Sequence, residues 1–170
     1  MGGILVLRDH THADYCVSGD IPDKSELESL LEKDFKVKSI LTIRNPIDSY
    51  TSLIKNGWVH FAPQTFDEYC RRILLLVKNF NDDQIFSYED FIKRPSIEMQ
   101  ALCKSLAIPF EESFDDMFGI FRVTGDSGRS SDIIGDRSRV IDDNKVLEYK
   151  TSDNYKLLID EFKNKLDWLD

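Results

Sequence analysis

Cysteine is scarce in this 170-residue chain. The three present, Cys16, Cys70 and Cys103, fall at no metal-ligand spacing, and an odd number cannot all pair. A disulfide framework is thereby excluded, and a reduced, cytoplasmic setting is expected. Long apolar runs are also missing. None approaches the ~20 residues of a membrane span. The run Ile4-Leu5-Val6-Leu7 after Met1-Gly-Gly is too short for a signal peptide and has no basic flank before it. Positive charge is in deficit, with 22 Lys and Arg against 31 Asp and Glu, a net charge of −9. A nucleic-acid backbone would meet net repulsion, so nucleic acid is not an expected partner. A small anion held by a local arginine cluster remains compatible with that charge. What is present, 41% hydrophobic and 31% charged residues, fits a single soluble domain over residues 1–170 with one core.

No internal repeat or low-complexity tract interrupts the chain. Residues 3–8 read as a buried strand. Residues 9–24 are polar and turn-rich. Ser25 with Glu28 forms a capping box ahead of a helical face of Leu27, Leu30 and Leu31. Residues 37–43 read as a central strand, and a helix is predicted from Pro46. Thr65 with Glu68 is a second capping box, opening a helix whose buried face is Phe66, Tyr69, Cys70, Ile73, Val77 and Phe80. Residues 84–88 read as a short strand. Pro95 opens a helix buried through Ile97, Ala101, Leu102 and Leu106. Residues 119–143, with four glycines and four arginines among aspartates, read as a loop. The chain closes with an amphipathic helix buried through Tyr155, Leu158, Phe162 and Leu166. This alternation predicts an α/β domain with a mainly parallel sheet. Ligands in such sheets bind at the carboxyl ends of the strands.

Four segments there carry chemistry. In Leu41-Thr-Ile-Arg44-Asn45-Pro46-Ile-Asp48-Ser49-Tyr-Thr-Ser52, a strand delivers Arg44 to its end, Asn45 caps the next helix and Pro46 takes its first position. The buried side is Ile47, Tyr50, Thr51 and Ile54. A guanidinium fork beside helix N–H donors suits a phosphate. The plainer alternative is a capped surface helix with Arg44 paired to Asp48. The second segment is Phe86-Ser87-Tyr88-Glu89-Asp90-Phe91, alternatively a strand end capped by Asp90. The third runs from Arg122 through Gly125, Gly128, Arg129, Ser130 and Ser131 to Arg137 and Arg139. Its glycines allow close backbone approach to an anion, and its arginines add charge; alternatively it is a charged flexible loop. The fourth is Arg8-Asp9-His10-Thr11-His12. A histidine here is a general-base candidate. A zinc site and a plain surface histidine are the alternatives, the former with too few further ligands.

Together these segments resemble the sulfotransferases that use 3′-phosphoadenosine 5′-phosphosulfate (PAPS), of bacterial type. The resemblance implies a three-layer, P-loop-nucleotide-hydrolase-like α/β fold. It implies that Arg44 and Ser52 hold the 3′-phosphate, that Tyr88 lies near the adenine, and that Gly128 and Arg129 belong to a loop, residues 119–143, folded over the nucleotide. His10, rather than His12, would take the acceptor's proton, and Arg8 would stabilise the sulfuryl oxygens. Arg8-Asp9-His10 stands where the family has Lys-Thr-His, and Arg129-Ser130-Ser131 where it has Arg-Lys-Gly. No metal is required.

The family's loop for the 5′-phosphosulfate, rich in Ser, Gly and Thr with a basic residue, has no counterpart before Ile4, and no G-x-x-x-x-G-K-[ST] occurs. The fold is therefore expected to be N-terminally incomplete, with that loop either truncated or supplied by another polypeptide or oligomer. An unpaired apolar sheet edge should be left behind. The expected activity is sulfuryl transfer from PAPS to a hydroxyl or amine of a small-molecule or glycan acceptor. Residues 11–24 and 56–64, with Trp58, His60 and Phe61, are expected to line the acceptor's pocket. The alternative is a catalytically silent nucleotide-binding fragment or subunit. An ATP-dependent small-molecule kinase ranks lower because the Walker lysine is absent.

Overall fold

The computed structural model describes residues 3–119, 134–135 and 141–163. Two strands, β1 (Leu41–Ile43) and β2 (Ile85–Ser87), pair in parallel, with Leu41 opposite Ile85 and Ile43 opposite Ser87. The connection between them carries α3 (Pro46–Asn56) and α4 (Phe66–Val77), the crossover that a parallel pair requires. Before β1 lie α1 (Thr11–Asp14) and α2 (Glu26–Leu31). After β2 come α5 (Tyr88–Lys93), α6 (Pro95–Leu106), α7 (Asp143–Thr151) and α8 (Asp153–Phe162). The chain is α/β and mostly helical, and the expected three-layer architecture is reduced among the described residues to two strands.

Local chemistry accounts for the helix starts. The hydroxyls of Ser25 and Thr65 accept from the backbone N–H of Glu28 and Glu68, as their capping boxes predict. Asn45 Oδ1 accepts from Ile47 N at 3.0 Å, with Pro46 following at the first position of α3. Gly57 ends α3 in the left-handed conformation at φ 68°. Ala107 takes the same conformation after α6.

The core lies where α4 meets α8. Phe66, Tyr69, Cys70, Ile73, Leu76 and Val77 are buried from α4, and Leu158 and Phe162 from α8. Phe66 lies 4.4 Å from the ring of Tyr149 and 5.4 Å from that of Tyr50. Beneath this cluster Glu68 receives both Arg71 (2.6 Å) and Arg72 (2.7 Å). Arg72 also donates to the carbonyls of Tyr15 and Val17 and lies over the Phe61 ring. A buried guanidinium is tolerable only when satisfied in this way.

Several expectations of burial and strand structure fail. Residues 3–8 form no strand. Ile4, Leu5, Val6 and Leu7 are 52–79% exposed, because β1 and β2 pair with each other and neither pairs with them. Strand structure in residues 37–43 is confined to Leu41–Ile43. In α6 the buried residue is Cys103, while Ile97 and Ala101 are exposed and Leu102 and Leu106 only half-covered. Ile54 of α3 and Leu30 of α2 face solvent too. Each departure has the same physical cause: the apolar period is present, but nothing among the described residues covers it. Leu166 and most of residues 119–143, including Gly128 and Arg129, lie outside the described residues.

Candidate functional site

Both strands of the parallel pair end at one place. Arg44 follows β1 directly and Tyr88 follows β2, so their side chains meet there: the Arg44 guanidinium sits 5.0 Å above the Tyr88 ring, within cation–π range. Arg44 Nη2 contacts Asp48 Oδ2 at 3.3 Å, and Arg44 Nε lies 4.0 Å from Glu89 Oε1. The same Glu89 oxygen accepts the Asn45 N–H at 2.9 Å. Glu89 thus holds the β1–α3 turn in place, and it offers Arg44 an anion that an incoming ligand must compete with. The plainer alternative for Arg44, pairing with Asp48, is therefore the geometry found. Glu89 was visible in sequence only as a neighbour of Tyr88; its reach across 44 residues could not be read from local spacing.

A cavity of about 560 Å³ opens at this strand end. Arg44, Ser52, Tyr88 and His10 all line it, so four of the candidate residues converge. Ser52 is one turn further along α3, its hydroxyl 3.4 Å from Asn56 Nδ2. His10 is half-buried and reaches the cavity with Thr11. Asp9 fixes the approach to His10: its carboxylate accepts from Ser25 Oγ at 2.6 Å and from the His10 N–H at 2.8 Å. Arg8 is exposed and does not line the cavity. The His12 side chain lies outside what is described. Among the described residues, no group of three His, Cys, Asp or Glu is placed to hold a metal ion.

The cavity has a polar and an apolar part. Arg44, Ser49, Ser52, Ser87 and Tyr88 gather at the strand ends, while Leu41, Ile73, Leu76 and Leu102 line its length. Tyr69 lies in the wall; burial lifts its phenol well above the ordinary value against an opposing hydrogen bond to Ser49, so it stays protonated. The Tyr88 hydroxyl donates to the Gly135 carbonyl at 3.0 Å, tying the described piece of residues 119–143 to the site.

Two further expectations need correction. Ser87 caps α5, its hydroxyl accepting from the Asp90 N–H at 3.0 Å, so Asp90 sits three positions inside the helix and is not the cap. Of the residues expected around an acceptor, Trp58 lines the cavity, whereas Phe61 belongs to the core and His60 is exposed. Comparison with protein-family models, with curated proteins and with solved structures returned no match for the chain.

Proposed function

We propose that this chain carries the nucleotide-binding and acceptor-activating part of a PAPS-dependent sulfotransferase. The observation that carries the reading is the convergence of Arg44, Ser52, Tyr88 and His10 on one cavity at the carboxyl ends of two parallel strands. In this reading Arg44, Ser52 and the N–H groups opening α3 receive the 3′-phosphate, and Tyr88 borders the adenine. The acceptor oxygen attacks sulfur, the bridging bond to the 5′-phosphate breaks, and adenosine 3′,5′-bisphosphate leaves. His10 takes the acceptor's proton. The rest of the catalysis is in-line positioning and charge stabilisation. The parts assigned to Arg8, Gly128 and Arg129 rest on the resemblance alone.

A second reading has its own support. Among the described residues lining the cavity, Arg44 is the sole lysine or arginine. A site that holds a nucleotide without transferring its sulfuryl group fits that charge as well.

Calorimetry with adenosine 3′,5′-bisphosphate and AMP tests the shared premise. The bisphosphate should bind more tightly, and Arg44→Ala should erase the difference. A charge-assisted bidentate contact contributes ~1.5–3 kcal/mol, a loss of roughly tenfold or more. Asp48→Asn should tighten the bisphosphate, because it removes the carboxylate now on Arg44. Equal affinity for the two nucleotides sinks both readings. Turnover of PAPS with any acceptor excludes the second.

A further inference from the structure

The apolar length of the cavity has the outline of a missing strand. Successive side chains of a strand point to opposite faces, yet Leu41, Thr42, Ile43 and Arg44 all line the same cavity, with Phe86, Ser87 and Tyr88 of the β2 side beside them. That happens where a cavity runs along a strand's edge. Ile73 and Leu76 reach it from α4, and Phe91 and Leu102 from α5 and α6, so helices that precede β2 and helices that follow it both wall the groove. Thr42, the central residue of β1, is exposed. Two-stranded sheets are marginal alone, and an open edge is a template for a further strand.

We propose that residues 4–7 of a second copy of this chain enter the groove as a third strand beside β1. The segment is Ile4-Leu5-Val6-Leu7, free of helix and 52–79% exposed, and such residues favour a pleated, covered surface. Four residues span ~13 Å, enough to cover a three-residue partner strand. The chain's own copy is directed elsewhere. The Asp9 carboxylate accepts from Ser25 Oγ and from the His10 N–H, which anchors the chain just after the segment, and none of residues 4–7 of the same chain lines the cavity. Each molecule thus presents both a strand and a slot, the self-complementarity that closes a two-fold dimer. The inserted strand fills the apolar length of the cavity and walls the side of the Arg44–Tyr88 end that now opens onto the groove. The proposal does not depend on what that polar end binds.

Light scattering on the full chain should give twice the 19.7 kDa mass of one copy, and the association should tighten as salt screens the −9 charge on each copy. Val6→Asp should weaken association at least tenfold with an unchanged circular dichroism spectrum, since Val6 is exposed in the single chain. For direct pairing, chains carrying Leu5→Cys or Val6→Cys, which cover both faces of a strand, are mixed with chains carrying Thr42→Cys and oxidised. Neighbouring strands lie within disulfide reach, and the native cysteines are buried, so a disulfide between two copies is expected. A monomer at every concentration and salt overturns the proposal. So does a dimer indifferent to Val6→Asp, or a mixture of the two kinds of cysteine variant in which no disulfide joins one to the other.

Discussion

Leu158 and Phe162 are covered to within 1%, while residues 4–7, just as apolar, stand in solvent. The two regions differ in what surrounds them. On the α4–α8 side an apolar helix face meets another, and the polar groups beneath are matched: Asp67 receives the capping residues of α8, and Glu68 the two arginines. At residues 4–7 the apolar run meets solvent, with nothing among the described residues covering it. Hydrophobic patterning therefore places a residue on a face but does not supply the surface that covers it. The fold rests on the first region, and the candidate site lies at the ends of β1 and β2.

The sharpest way to break this comparison is at the buried charge. Glu68→Ala leaves Arg72 buried with only the two carbonyls of Tyr15 and Val17 and the Phe61 ring. Removing one partner of a buried pair costs about 3–5 kcal/mol, and urea unfolding should show a loss in that range. The arginines hold the Glu68 carboxyl below its ordinary value, Arg71 most strongly. A carboxylate whose folded value is depressed stabilises the fold above its unfolded value, and that contribution fades as pH falls through the folded value. The native protein should therefore lose stability on acidification below the usual glutamate range, and Glu68→Ala should lose less.

Next in size is the contrast between two leucines. Leu158→Ala opens a cavity in a covered core and should cost about 2–5 kcal/mol. Leu5→Ala, at an exposed position, should stay within about 0.5 kcal/mol for the monomer. If the two changes cost the same in denaturant titrations of dilute protein, the proposed difference between the regions is wrong. If Leu5→Ala gains weight as protein concentration rises, the segment is covered by association, which sharpens the comparison.

Much of the packed side was legible in the sequence because its signals are local. The boxes at Ser25–Glu28 and Thr65–Glu68, the cap at Asn45 with Pro46, and the face Phe66–Tyr69–Cys70–Ile73 all sit within one or two turns, where spacing and geometry are tied. Parallel pairing of the strands followed from their alternation with helices. What was not legible depends on distant partners. The run at residues 4–7 has the composition of a buried strand, but burial needs a neighbour, and composition cannot report whether one is there. The site divides the same way. Arg44 at a strand end beside a capped helix could be read locally. That Glu89, rather than Asp48 alone, stands against Arg44, and that Phe61 turns inward over Arg72, are settled by contacts across the fold.

A smaller loss than either core change is expected at the junction that closes the packed side. Asp67, in the first turn of α4, accepts from Ser152 Oγ at 2.6 Å, from the Asn154 backbone at 3.1 Å and from Asn154 Nδ2 at 2.6 Å. Ser152 is itself the cap of α8, its hydroxyl accepting from the Tyr155 N–H at 3.1 Å. One carboxylate therefore orients the residue that starts α8 and ties that start to α4. Asp67→Ala should cost about 1 kcal/mol near neutral pH, the usual loss when a helix start is deprived of its polar partner. The Ser152 hydrogen bond leads in holding the Asp67 carboxyl below its ordinary value of 3.8. Its contribution is thus fully present above that value and is lost as pH falls through the lower, folded one. The gap in stability between native protein and variant should narrow in acid and vanish once Asp67 is protonated in both states. Asp67→Asn should recover only part of the loss, because its amide nitrogen would face another donor, Asn154 Nδ2. A gap that stays constant from neutral pH down through the aspartate range would mean that the charge on Asp67 does nothing for the junction, and that its effect is one of shape alone.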